Sequence, residues 1–439
     1  MQKAKHLLFI IFFIKVISPL SAQTTQQLPV NLQDLFELAN QSNRTLKVLT
    51  YHEKIATEAI NQEKQKQLPS LDVAISAGYN GDVWISDRNF SNGMKVPIPD
   101  FGNNFALEAT QIIYAGGVIK TSIKIAELSH VISQLDTDIN KQDIRFAIAG
   151  YYLELLKLNN QKKILQKNLE QTNKLLAQIK AKYKQGTSLR NNTTRYELQL
   201  QSLELALQKT ENRRTIINNE LVKTLLLPKE TKLELKDVLP ETSDTLTNET
   251  NWQILAQQNS AVLQKIQPKL EQAKHHEKLI KADELPQVFA YGGNYLNGPI
   301  MIEIPALDKN FNYWSVGLGI KYNMASLYKN KTKGNIARLK TQSVLESNEI
   351  VKDELSNQIS SAYILYNEAK NVYQTQLKGV ELATENYTII KNRYLNDLVL
   401  ITEMLDAENA KVNAELKAAN AQINILFQYY QLKKLTGTL

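Results

Sequence analysis

Apolar residues between Asn31 and Gln67 fall at helical spacing, with Leu32, Leu35, Phe36, Leu38 and Ala39 on one face and Ile55, Ala59 and Ile60 continuing it. At Leu68-Pro-Ser-Leu71 the period changes. Pro69 denies its predecessor helical geometry, and Leu71, Val73, Ile75, Ala77 and Tyr79 then alternate with Asp72, Ala74, Ser76 and Gly78. This predicts a strand over 70–79 with one greasy face and one small or polar face. Residues 80–104, with Gly81, Gly93, Pro97, Pro99 and Gly102, read as a polar loop too long for a tight hairpin turn. A second strand is expected over 105–114, and Gly116-Gly117 marks its exit.

From Val118 to Lys184 there is no proline and one glycine, Gly150, so a single helix of about 67 residues and about 100 Å is predicted. Its far part carries Leu158, Leu165, Leu169, Leu176, Ile179 and Tyr183, a coiled-coil seam. Gly186 breaks it, and a return helix over 188–227 continues the heptads through Leu189, Tyr196, Leu200, Leu203 and Leu207. The whole succession then recurs. A helix over 251–284, with a kink expected at Pro268, is followed by strands over 287–296 and 313–322 and helices over 326–396 and 400–435. The chain reads as a tandem duplication: a first repeat over 23–227, a linker over 228–250 and a second repeat over 251–439.

The shorter helices of each repeat, placed end to end, match the long one in length, which suits columns of a cylinder. Strands of nine or ten residues with strict alternation have the length a tilted strand needs to cross a bilayer, and aromatics gather near their ends. The expected lipid-facing set is Leu71, Val73, Ile75, Phe105, Leu107, Phe289, Tyr291, Trp314, Val316, Leu318 and Ile320. Four strands cannot close a barrel, and open edges are forbidden in lipid, so several copies must share one. Two copies would give eight strands and a filled interior; three give twelve and a lumen. The fold class expected is an α+β membrane protein: tandem helix-strand-strand-helix-helix repeats that form, as a homotrimer, a shared 12-stranded transmembrane β-barrel and a long α-helical barrel of coiled coils. The alternative is a helical scaffold with two ordinary hairpins and no pore.

Composition adds restrictions. Only 16 Gly and 11 Pro occur, and no Cys, so thiolate metal sites, disulfides, a Cys nucleophile and a lipid-anchored N-terminal Cys are excluded. Residues 1–22 have a basic start, an apolar stretch from Leu7 to Ile14 and Ser-Ala22 before Gln23, the pattern of a cleaved secretory signal; an uncleaved anchor is the other reading, although the apolar run is short for a span. Loss of that segment removes three lysines and no acid, taking the net charge from +8 to +5. A charge so small, with no basic cluster interleaved with aromatics, does not point to nucleic acid.

The order Leu32-Gln-Asp-Leu-Phe-Glu-Leu-Ala39, Leu68-Pro-Ser-Leu71, Tyr114-Ala-Gly-Gly117, Tyr183-Lys-Gln-Gly186, Tyr394 and Met404-Leu-Asp-Ala407 resembles the outer-membrane factor family, the TolC-type exit ducts. The resemblance covers essentially the whole mature chain. It implies a trimeric channel in the cell outer membrane continued by a periplasmic helical tunnel, closed at its tip until a periplasmic membrane-fusion adaptor and an inner-membrane pump, proton-driven or ATP-driven, dock. The duct is then passive, and drug, metal or small-molecule efflux and type I protein secretion are both open to it. The outer-membrane lipid and two further copies of the chain complete the expected partners.

Glu403 and Asp406, three apart, share a face of the return helix close to its tip, and in a trimer would form two rings of negative charge. They match the acidic residues that line the entrance in the family; a solvated face balanced by Lys411 is the plainer alternative. Tyr394 matches a family gate tyrosine and also fits the seam. Asn192 occupies the first-repeat position equivalent to Glu403. The tip turns, with Gly186, Thr187 and Ser188 in one and Asp397 and Leu398 in the other, are the expected adaptor-docking surface. Asp397 replaces the turn glycine that Gly186 keeps, and Val399 stands where some members carry a basic gate residue, so the latch is expected to be rebuilt. Adjacent His275 and His276 point apart on a helix and cannot chelate one ion. With no phosphate loop and no spaced nucleophile and base, neither an enzyme nor a cofactor is expected.

Overall fold

The computed structural model describes residues 27–236 and 248–439. The expected signal segment and the middle of the expected linker lie outside the described residues. In chain order the elements are β1 (Gln27–Val30), α1 (Leu32–Ser42), α2 (Arg44–Gln65), β2 (Ser70–Tyr79), β3 (Val83–Ile85), β4 (Met94–Val96), β5 (Phe101–Ala115), α3 (Val118–Lys184) and α4 (Arg190–Thr224). There follow β6 (Lys232–Leu235), α5 (Glu249–Asn259), α6 (Ala261–Gln264), α7 (Ile266–Ala282), β7 (Gln287–Gly298), β8 (Phe311–Lys321), α8 (Ser326–Leu395) and α9 (Ile401–Leu435).

Two helices run the full height of the molecule. At 67 and 70 residues, α3 and α8 each span roughly 100 Å. Along one half, α3 packs against α2 and α7; along the other, against α4 and α9. The half-length helices thus stack into columns. At the α2/α4 joint, Asn43 caps α2 by accepting from the N–H groups of Thr45 and Leu46, while its amide donates to the Thr224 carbonyl at 3.2 Å and Ser42 Oγ donates to the Leu225 carbonyl at 2.7 Å. The break at Asn43 therefore joins one column instead of ending it. The largest buried cluster lies at this mid-height, where Leu35, Phe36, Ile148, Tyr152, Leu221 and Leu426 meet.

Several elements differ from the sequence expectation. Part of the supposed linker is a strand: β6 pairs in parallel with β1, Leu233 opposite Leu28. Periodicity missed both, because four residues are too few to show a period. The 80–104 loop holds the β3–β4 hairpin, and β5 begins three residues before that loop was to end. The helix expected over 251–284 is three helices, broken at Ser260 and Lys265; the second break lies within one turn before Pro268, whose missing N–H cannot donate back to Gln264.

The membrane-type sheet has the order β2-β5-β7-β8, all antiparallel. Register assigns the faces. Val73 stands opposite Leu107, Leu107 opposite Asn294 and Asn294 opposite Trp314, so Leu71, Val73, Ile75, Phe105, Leu107, Trp314, Val316, Leu318 and Ile320 share one face, all exposed but the half-buried Phe105. Phe289 and Tyr291 do not. They stand opposite Gly319 and Gly317 on the other face, with Asp72 and Glu108, and their rings cover those glycines: a Cβ on Gly317 would lie 2.7 Å from the Tyr291 ring. Their expected lipid-facing position is corrected here. Strand β7 alternates aromatic with small residues, so its bulky side looked like the outer one, and only pairing to β5 and β8 reveals the inversion. Among the described residues no helix is long and apolar enough to cross a membrane.

Candidate functional site

The far ends of the two long hairpins, α3–α4 and α8–α9, come together in one tip. Both turns have the same geometry. The N–H of Thr187 donates to the Lys182 carbonyl and that of Leu398 to the Arg393 carbonyl, closing six-residue loops whose penultimate residue is left-handed: Gly186 at φ 76° and Asp397 at φ 58°. Aspartate is among the few non-glycine residues that tolerate this region. Its carboxylate then does what a glycine could not. Lys182 Nζ, from α3, donates to Asp397 Oδ1 at 2.7 Å and to the Leu395 carbonyl at 3.1 Å, tying one hairpin to the turn of the other. Neither residue's partner was visible in the sequence, since the two are 215 positions apart.

Above the turns lies a compact apolar cluster of Leu175, Leu176, Ile179, Tyr196, Tyr387, Tyr394, Ile401, Met404 and Ala407. Tyr394 is a buried member of it, and burial, followed by the neighbouring Asp397 charge, raises its hydroxyl pKa. Tyr183, expected in the seam, is 44% exposed, because α3 divides its buried face between α4 and α9. The same division buries Asn168 and Thr172, which the leucine pattern passed over.

Those two polar residues belong to a network joining α3 to α9. Thr172 Oγ1 donates to Glu408, Asn168 Nδ2 donates to Glu415 Oε2 at 2.9 Å, and Lys411 Nζ donates to Gln171 Oε1 at 2.9 Å. Lys411 also lies over the Tyr387 ring, 4.6 Å from its centroid. Glu408 is 2% and Lys411 5% exposed. Burial raises the Glu408 carboxyl above its usual range against the opposing pull of Thr172 and Tyr196, and lowers the Lys411 ammonium. The buried Tyr387 hydroxyl is pushed up to about 12. Lys411 therefore cannot balance a solvated face. The signal for this network was present in the spacing of Glu408, Lys411 and Glu415, at three and four, on one side of α9.

Glu403 and Asp406 are exposed. Glu403 stands in the first turn of α9, where Oε1 approaches the Leu400 N–H at 3.5 Å and the helix dipole favours its charge. Asn192 lies on the other hairpin, its amide donating to Ser188 Oγ at 3.2 Å and not to Tyr394. Of the turn residues, Gly186, Thr187, Asp397 and Leu398 are exposed and Ser188 half-buried, and Leu189, Leu398 and Leu400 present apolar side chains to solvent. Nothing here assembles a nucleophile with a base, and among the described residues no cluster of His, Asp and Glu could hold a metal.

Comparison with known proteins agrees with this geometry. Residues 35–225 match the model of the outer membrane efflux protein family. The chain is similar to that family over those residues. Its fold is shared with the outer membrane protein VceC of Vibrio cholerae at TM-score 0.77 and 16% identity, over 92% of this chain and 96% of that one. It is similar also to the open-state MtrE outer membrane channel of Neisseria gonorrhoeae, at TM-score 0.76, 17% identity, and 92% and 88% coverage. The CusC channel gives TM-score 0.76 at 14% identity, with 92% and 91% coverage. No curated protein matches the chain. With this family match and this fold, the protein sits in the outer membrane, its apolar strand face in lipid and its helices in the periplasm. The sheet has two free edges, β2 and β8, which cannot stay open in lipid; three copies joined edge to edge would close a twelve-stranded barrel.

Proposed function

We propose that the protein is the passive exit duct of a tripartite efflux pump, held closed at its periplasmic tip and opened when an adaptor and an inner-membrane pump dock there. The observation that carries this reading is the Lys182–Asp397 tie. It joins the two hairpins of a protomer at the level where three protomers would converge, and it uses an exposed carboxylate that a docking partner could engage. The exposed Leu189, Leu398 and Leu400 supply an apolar seat for the adaptor's own helical hairpin. Glu403 and Asp406, repeated three times, would line the aperture and favour cations. The energy of transport and the choice of cargo belong to the pump; the duct supplies a path and a gate.

The test is a pair of measurements on one set of variants. Replacement of Leu189 and Leu398 by Arg is expected to abolish co-purification with the cognate adaptor while leaving the trimer intact. Conductance of the unmodified protein in planar bilayers is expected to be small and cation-preferring, and Glu403→Ala with Asp406→Ala to remove the preference. Unchanged cation preference in that variant would remove these carboxylates from the aperture.

A further inference from the structure

The two edge strands carry, between them, the information for how copies join. Strand β2 has one charged residue, Asp72, and β8 has one, Lys321. Both lie on the face opposite the lipid side, and both lie near the end of the sheet that leads into the helices. Neither has an ionic partner in its own chain among the described residues. Asp72 in fact stands directly opposite Glu108 on β5, a like-charge pair that costs stability unless a cation joins it.

We propose that β8 of one copy pairs with β2 of the next in the register that sets Lys321 opposite Asp72. This goes beyond the trimeric barrel itself, and it is independent of the pump partners. Antiparallel pairing follows from the strand directions. A slip of one residue would turn the apolar face of either strand into the lumen. Slips of two keep the faces but leave Lys321 opposite Ser70 or Ala74. In the proposed register the lipid face aligns Val73 with Ile320, Ile75 with Leu318 and Tyr79 with Trp314, the last an aromatic pair at the outer rim. The lumen face sets Ala74 against Gly319 and Ser76 against Gly317, small against small, which leaves room for the Phe289 and Tyr291 rings that already cover those glycines.

Barrel geometry agrees. Straight across one copy, Asp72 aligns with Glu108, Gly293 and Ser315. Reaching Lys321 at the seam displaces the ladder by six residues, hence a shear of about 18 over three seams. With about 3.3 Å per residue and about 4.8 Å between strands, the strands tilt by about 45°, at the upper end of the range of about 35–45° usual for outer-membrane barrels.

The protein has no cysteine, so the register can be read by cross-linking. Ile75 and Leu318 of one chain are separated by two intervening strands, roughly 14 Å or more, whereas paired residues across the seam have the Cα spacing of about 5 Å that a disulfide accepts. Oxidised Ile75→Cys/Leu318→Cys protein in detergent is expected to run as covalent dimers and trimers, while Ile75→Cys/Val316→Cys and Ile75→Cys/Ile320→Cys stay largely monomeric on a denaturing gel. Faster cross-linking by either slipped pair overturns the register. A charge exchange tests the lock itself: Asp72→Lys and Lys321→Asp should each lower the temperature at which the trimer dissociates, and the double variant should recover most of the loss. A double variant no better than the worse single one would show that the two charges do not meet.

Discussion

Consider Lys182→Met, which keeps the length of the side chain and removes the ammonium that ties the two hairpins. The Lys182 side chain is 27% and the Asp397 side chain 70% exposed, so the pair is solvent-screened and contributes about 0.2–1 kcal/mol per protomer. If the aperture opens only when all three protomers release, the closed state loses roughly 0.6–3 kcal/mol, and the open-to-closed ratio rises roughly three- to 150-fold. Ionic strength discriminates further: with a Debye length of about 8 Å at physiological salt, the low end applies there and the high end in dilute buffer. The assay is open probability of single channels in planar bilayers. Asp397→Asn provides the second leg of a double-mutant cycle, because asparagine tolerates the left-handed backbone and carries no charge. Either single variant should open the channel, and the double should add nothing to the larger effect. Strictly additive effects, or no change in any variant, would refute the tie as a latch.

Other outcomes follow from the buried network and the barrel. Glu408 has a carboxyl pKa raised above 4.5 in the folded chain, so folding takes up a proton as pH rises past that value; stability should fall from about pH 4.5 through the raised pKa, and thermal unfolding of Glu408→Gln should lack that decline. Thr172→Val removes the hydroxyl that donates to Glu408 and should cost about 1–3 kcal/mol of unfolding free energy by denaturant titration, with the decline of stability extended to higher pH. Leu318→Arg places a charge on the lipid face and should cost about 2–4 kcal/mol if it lies at mid-bilayer, read as loss of the heat-resistant trimer. Gly317→Val should reduce trimer yield, since its Cβ falls on the Tyr291 ring and a luminal aromatic must move, whereas Gly78→Ala, with nothing within 4 Å of a Cβ, should be tolerated.

The long helices and the strands were legible because each carries one period over many residues: nothing between Val118 and Lys184 interrupts a helix, and Leu71 to Tyr79 alternates without fault. Short pieces were not, as β1 and β6 show. Faces were legible only where one side of a strand is uniformly apolar; β7, with aromatics on one side and mixed residues on the other, needed its neighbours' register before Phe289 and Tyr291 could be assigned. At the tip, the turns and the exposed acids stood out by position. Lys182 and Thr172 did not, since each acts through a partner more than 200 residues away, and a heptad seam scored by leucine hides the polar residues that a helix buries when it packs on two sides. The second strand-to-helix turn shows the reverse: without the glycines of the first, Asn323 and Ser326 supply its bonds, Ser326 Oγ donating to the Asn323 carbonyl at 2.6 Å.

Single-channel recording of detergent-extracted protein, with the native mass of the same sample measured alongside, bears most directly on a shared barrel gated at its tip. The expected result is a trimer with small, cation-preferring conductance that grows when the Lys182–Asp397 tie is cut. A water-soluble monomer that never conducts would contradict the account.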